Sequence, residues 1–147
     1  MKIAIINGPN LNLLGKREVE IYGEGTFEDF LAGLKKRFPQ FQIEYFQSNV
    51  EGELINEIQR TGSAYDGIIF NPGGYTHTSV AIGDSIAAIT TPVIEVHITN
   101  IFAREEFRKL SYVSGKAKGV ITGLGLKGYE LALEWLVSYK MTLNNKA

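Results

Sequence analysis

Five short apolar runs separated by amphipathic segments constrain this chain more than any other feature. The runs are KIAII (2–6), QIEYFQS (42–48), GIIFN (67–71), PVIEVHIT (92–99) and GVIT (119–122). Each is too short for a helix and carries β-branched or aromatic residues, which reads as a strand. Between them lie stretches with helical spacing. In TFEDFLAGLKKRF (26–38), Phe27, Phe30, Leu31, Leu34 and Phe38 share one face, and Thr26 stands where it can cap the start. EGELINEIQR (51–60) carries acids in its first turn, where the helix dipole favours them. TSVAIGDSIAAI (78–89) reads as a helix despite Gly83, and AREEFRKL (103–110) as a short one. Residues 127–141 close the chain with Tyr129, Ala132, Leu133, Leu136 and Tyr139 on one face. Strands alternating with helices predict an α/β protein, an open five-stranded parallel sheet covered on both sides. The flavodoxin-like three-layer sandwich is the commonest small version. No linker or repeat interrupts the 147 residues, so one domain over 1–147 is expected.

Such sheets bind ligands beyond the carboxyl ends of their strands, and here those ends are polar. The first strand runs into NGPNLNLLGKREVEIYGEG, with Asn7 and Asn10. The third runs into NPGGYTHTS, with Asn71 and His77. The fourth carries Glu95, His97 and Thr99. Burying a charge without a partner is costly, so Glu95 inside an otherwise apolar run needs an explanation. Strand alternation puts Glu95, His97 and Thr99 on one face and Ile94, Val96 and Ile98 on the other. Glu95 can then orient or charge the His97 imidazole, whose reference pKa of ~6.5 suits proton transfer. A histidine at a strand end is also compatible with a purely structural hydrogen bond, and Asn71 with its glycines is compatible with a plain turn.

The connection from Leu11 to Gly25 is longer than the few residues usual between strand and helix. Loops of this kind often close over ligands. It holds Arg17 and Tyr22. A tyrosine has a reference pKa of ~10 and needs a nearby guanidinium, worth roughly 1–3 units, to act as a base at neutral pH. Taken singly, Tyr22 reads as a packed surface ring, Arg104 and Arg108 as a solvated helix face, and Asp84 as a solvent-facing acid.

Several functions are excluded or disfavoured by composition. Fifteen basic against sixteen acidic residues give no electrostatic footprint for nucleic acid or an anionic membrane. The absence of cysteine removes disulfides, thiolate metal sites and a thiol nucleophile. The apolar N-terminal run is too short for a signal peptide or a membrane span, so a soluble cytoplasmic protein is expected. No Walker A, G-x-G-x-x-G or G-x-S-x-G pattern occurs in its proper place. His77, Glu95 and His97 can be read as a metal set, although no recognised ligand spacing is present.

Four blocks in order, NGPNLNLLGKRE with YG at 22–23, NPGGYTHTS, PVIEVHITN and AREEFR, resemble the type II 3-dehydroquinate dehydratases. FQSNVEGELI and GVITGLGLKGY are similar to that family's intervening segments, so the resemblance covers nearly the whole chain. It implies a flavodoxin-like enzyme that dehydrates 3-dehydroquinate to 3-dehydroshikimate through an enolate, with neither metal, Schiff base nor cofactor. Tyr22 falls on the family's base and Arg17 on the arginine that activates it. His97 falls on the acid, Glu95 on its orienting partner, and Asn10 on a residue near both that histidine and the intermediate. Asn71, His77 and Arg108 fall on residues that hold ring hydroxyls, and Ile98 and Thr99 on those that hold the carboxylate. Asp84 falls on an acid that reaches a neighbouring subunit's site. The implied assembly is a homododecamer of four trimers. Val19, Gly83 and Thr99 depart from common choices at their positions. The rival readings are a non-catalytic flavodoxin-like binding module, a metal hydrolase, and a dehydratase of the Schiff-base type.

Overall fold

Ile3 and Ile5 bury on one side of the first strand, Ala4 and Ile6 on the other. This two-sided burial sets the layering of the protein, which we describe from a computed structural model covering residues 1–16, 20 and 25–147. The strands are β1 (Lys2–Asn7), β2 (Gln42–Gln47), β3 (Gly67–Asn71), β4 (Val93–His97) and β5 (Gly119–Thr122). They form one parallel sheet in the order β2-β1-β3-β4-β5. This is the flavodoxin-like order, whose direction of winding reverses between β1 and β3.

The described helices are α1 (Phe27–Arg37), α2 (Glu51–Thr61), α3 (Val80–Ala87) and α4 (Lys127–Asn144). Phe27, Leu31 and Leu34 of α1 pack with Tyr129, Ala132, Leu133 and Leu136 of α4 on Ile3, Ile5, Ile69, Ile94 and Val96. Leu54 and Ile58 of α2 and Ile82 and Ile86 of α3 cover Ala4, Ile6, Ile68, Phe70 and Val93 on the opposite face. Thr26 caps α1 by accepting from the Asp29 amide at 3.2 Å, as its sequence position anticipates. Among the described residues no helix is long and apolar enough to cross a membrane.

Three expected elements change. The third helix starts at Val80 rather than Thr78, because Ser79 takes an extended backbone and its hydroxyl accepts from the Ile82 amide. The fourth strand ends at His97, so Thr99 lies beyond it and strand alternation does not govern its side chain. The helix expected over 103–110 is absent. Two 3-10 turns, Ile101–Ala103 and Glu106–Lys109, replace it, with Arg104 extended between them. The second turn buries none of its residues, and Phe107 and Leu110 are exposed. A short segment with no apolar face to bury lacks the tertiary packing that sustains most protein helices. Arg104 and Arg108 therefore do not share a helical face.

Gly83 has a packing reason to be small. A Cβ there would stand 2.3 Å from the carbonyl oxygen of Tyr112. The glycine lets α3 lie against the loop that follows the second 3-10 turn.

Candidate active site

The connections after β1, β3 and β4 converge at the carboxyl edge of the sheet. Gly8 makes the first two meet: its amide donates to the Asn71 carbonyl at 2.7 Å, and a Cβ there would strike the Pro72 carbonyl at 2.5 Å. Leu11 and Leu14 drop into the core and anchor the first loop. Asn10 then turns with a positive φ of 70°, a conformation asparagine tolerates better than most residues, and its amide donates to Asn49 Oδ1 at 3.0 Å. The result is a cavity of about 200 Å³ at the point where the sheet's winding reverses.

Seven of the expected residues line this cavity: Asn10, Asn71, His77, His97, Ile98, Thr99 and Arg108. Arg104, to which the sequence assigned no role, lines it too and donates from Nη1 to Thr99 Oγ1 at 3.2 Å. Glu95 lies beneath, fully buried, on the same face of β4 as His97. Asp84 is exposed on α3 and does not line the cavity. Arg17 and Tyr22 lie outside the described residues, as does Val19.

The Glu95–His97 relation expected from alternation is present as a direct bond. His97 Nε2 stands 2.6 Å from Glu95 Oε1. A carboxylate only accepts, so Nε2 carries the proton. His97 Nδ1 is left as the nitrogen that can meet a ligand, because His97 is a lining residue. Burial acts to raise the Glu95 pKa. Hydrogen bonds from His97, Ser114 and Thr76, with the attraction of the imidazole, outweigh it and hold the carboxyl below the usual range. Glu95 is therefore an anion held in the interior.

His77 is oriented by a backbone carbonyl from the loop after the second 3-10 turn. Its Nδ1 is 2.7 Å from the Leu110 carbonyl, which can only accept. Burial, with smaller contributions from His97 and Arg108, keeps the His77 pKa below the ordinary histidine value. The ring is thus neutral near pH 7 with its proton on Nδ1, and Nε2 is an acceptor suited to a ligand hydroxyl. The His77 and His97 rings stand 6.5 Å apart in near-parallel planes, 22° from each other. Among the described residues no group of three or more His, Asp or Glu is placed to hold a metal ion.

Asn71 is set from below. Its Oδ1 accepts from the Gly73 amide at 3.0 Å, and its Nδ2 donates to the Tyr129 hydroxyl at 2.9 Å. Tyr129 in turn donates to Asn7 Oδ1 at 2.8 Å. The sequence reading had Tyr129 only as a core residue of the last helix, and nothing local to residue 129 signals a second role.

A buried imidazole bonded to a carboxylate, a neutral acceptor imidazole and two arginines on one small cavity suit proton transfer on a small, polar, anionic molecule. The family model described as dehydroquinase class II matches residues 1–137. The chain belongs to that family. It is 53% identical over 145 residues to the 3-dehydroquinate dehydratase of Fusobacterium nucleatum, covering 95% of this chain and 98% of the relative. The crystal structure of the type II dehydroquinase from Butyrivibrio crossotus superposes with a TM-score of 0.89 at 45% identity, covering 92% of this chain and 97% of that one. The type II dehydroquinase from Propionibacterium acnes gives 0.86 at 41% identity, with coverage of 93% and 96%. Family membership accounts for the sheet order and for the convergence of three connections on one cavity.

Proposed function

We propose that this chain is a 3-dehydroquinate dehydratase of type II, acting in the shikimate pathway. The observation that carries the reading is the buried Glu95–His97 pair, 2.6 Å apart, whose remaining imidazole nitrogen belongs to a cavity lined by family-matched residues. In this reading Tyr22, activated by Arg17, removes the proton next to the ketone. The enolate that forms expels the β-hydroxyl, and His97, protonated on Nδ1 and paired with Glu95, delivers the proton that lets it leave as water. Asn10 stands near His97 and the enolate. Asn71, His77 and Arg108 hold the ring hydroxyls, His77 accepting through Nε2. Ile98 and Thr99 bind the carboxylate at the end of β4. Proton transfer supplies about 10²–10⁴ in rate, and stabilisation of the enolate by fixed donors supplies much of the rest.

The same reading takes residues 1–147 as one catalytic domain working without metal or cofactor, in the cytoplasm. It takes the assembly as a dodecamer of four trimers, with Asp84 directed to a neighbouring subunit's site. Exposure of Asp84 on α3 is compatible with that role. Light scattering on the eluted protein tests the assembly.

The function is tested by mixing purified protein with 3-dehydroquinate and following the absorbance of the conjugated enone product. Turnover is expected within the range of about pH 6 to 9, where a tyrosine base and a histidine acid can operate together. No product anywhere in that range refutes the activity. Tyr22→Phe is expected to lose most turnover with stability nearly unchanged, and wild-type turnover in this variant refutes the base assignment.

A further inference from the structure

Glu95 is the most deeply buried carboxylate of the described chain, with no exposed surface, and the proposed reaction uses only one of its oxygens. What holds the rest of it is a cluster of three hydroxyls outside the cavity lining. Thr76 Oγ1 donates to Glu95 Oε1 at 2.5 Å, and Ser114 Oγ donates to Oε2 at 2.6 Å. Ser111 Oγ lies 2.9 Å from both of these hydroxyls. It also accepts from the amides of Val113 and Ser114 at 3.1 and 2.9 Å. With both backbone donors directed at Ser111, its own proton is left for Thr76 or Ser114, and the protons of those two are free to point at the carboxylate. The loop is tied down where this matters, since the Tyr112 amide donates to the Thr76 carbonyl at 2.8 Å.

The fold explains why hydroxyls stand here. Val93 and Glu95 lie on the face of β4 that α2 and α3 cover farther back. Near the carboxyl end that face meets the 3-10 turn Gly73–His77 and the loop over 111–116 instead of a helix. A helix would present apolar side chains to Glu95, whereas the turn and loop present donors.

We propose that Thr76 and Ser114, aligned by Ser111, are positioning residues that fix the Glu95 carboxylate under His97 and disperse its charge, and so set the pH at which His97 holds its second proton. The inference rests on the proposed dehydratase reading for its catalytic meaning, but its physical content concerns the pair alone. Every donor to Glu95 stabilises the bare carboxylate and weakens its pull on the imidazolium. Losing a donor concentrates the charge, and the pair then keeps its proton to higher pH. Among the described residues, the other charged or titratable groups about His97 are His77, from the 3-10 turn before α3, and Arg104 and Arg108, from the segment after β4. Thr76, Ser111 and Ser114 are neutral, so replacing them changes no charge and any shift must act through Glu95.

The experiment is an NMR titration of the imidazole nitrogens in the ligand-free protein. The chain has only two histidines, and His77→Asn assigns them. Ser114→Ala and, independently, Thr76→Val are expected to raise the His97 midpoint by roughly half a unit to one unit, the scale of losing one donor among several. Ser114→Thr, which keeps the hydroxyl, is expected to stay near the wild-type midpoint. In turnover with 3-dehydroquinate, the alkaline limb of kcat/KM, which like the NMR midpoint reports the free enzyme, is expected to move upward by the same amount. A merely structural role would lower kcat at every pH and leave both the limb and the NMR midpoint in place. Unchanged or lowered midpoints in folded Ser114→Ala and Thr76→Val overturn the proposal. Absence of turnover in the wild-type protein, with the NMR shifts as expected, overturns the dehydratase reading and leaves the positioning role standing.

Discussion

Tyr129→Phe removes one oxygen atom from the centre of the molecule, and its cost can be worked from the surrounding bonds. The hydroxyl accepts from Asn71 Nδ2 and donates to Asn7 Oδ1, at 2.9 and 2.8 Å. Tyr129 and Asn7 have no exposed surface and Asn71 has 3%. Asn7 Nδ2 already has no hydrogen-bond partner among the described residues, so Tyr129 satisfies the other end of an amide that is short of contacts. Burial drives the phenol pKa upward, so the hydroxyl remains neutral and able to donate at all ordinary pH. Without it, a buried acceptor and a buried donor are left unpaired, at about 1–3 kcal/mol each. Relief from desolvating the hydroxyl itself offsets part of this, leaving a loss of about 2–4 kcal/mol. For a chain near 150 residues each kcal/mol moves Tm by roughly 2–4 °C, so a fall of roughly 4–16 °C is expected. Urea unfolding is the better assay, with a lower midpoint at unchanged slope marking a pure stability change. Because Asn71 loses the partner that sets its amide, KM for 3-dehydroquinate should rise more than kcat falls. A stability loss below about 0.5 kcal/mol, the scale of an ordinary surface substitution, refutes the claim that this oxygen satisfies both asparagines.

Three further outcomes follow from other parts of the site. Glu95→Gln replaces an acceptor of three donors by a group that must itself donate, and it removes the counter-charge of His97. A charge-assisted bond worth about 1.5–3 kcal/mol corresponds to a fall of roughly 10–150-fold in kcat, with KM little changed. A large rise in KM at unchanged kcat would make Glu95 a binding residue instead. His77 has a depressed pKa in the folded protein, so the unfolded chain takes up a proton first as pH falls. Its contribution to stability is present above about pH 6.5 and is lost below it, by at most about 1.4 kcal/mol per pH unit. The depressed Glu95 adds a second loss below about pH 4.5. Urea midpoints measured from pH 7 downward should therefore fall, and His77→Gln should flatten the upper part of that fall. An identical slope in the variant refutes the assignment. Finally, Gly83→Ala gains about 1 kcal/mol in helix propensity. It drives a Cβ to 2.3 Å from the Tyr112 carbonyl, an overpacking cost of about 1–3 kcal/mol. A net loss of up to about 2 kcal/mol is expected, and a stabilised variant would show that the Tyr112 loop yields freely.

Much of the molecule follows from local sequence. The alternation of short β-branched runs with amphipathic segments determined an α/β sandwich, because burial on two faces needs unbroken apolar strands and each helix needs one apolar stripe. The cap at Thr26 and the pairing of Glu95 with His97 are legible for the same reason. They depend on residues two or three apart, whose relative placement the backbone period decides. Tertiary structure decided the rest. The segment 103–110 has helical composition, yet it lacks a face to bury and becomes two turns around an extended Arg104, which brings that arginine into the cavity. Thr76 and Ser114 each reach Glu95 from 19 positions away, on opposite sides in sequence, Ser111 meets Thr76 across 35 positions, and Tyr129 meets Asn7 across 122. No period in the chain links such residues. They meet only because the sheet order sets β3 between β1 and β4 and lays α4 across them. The sequence alone therefore determined the layered fold and the polar residues at its strand ends, and the packing of the sheet decided which buried groups hold those residues in position.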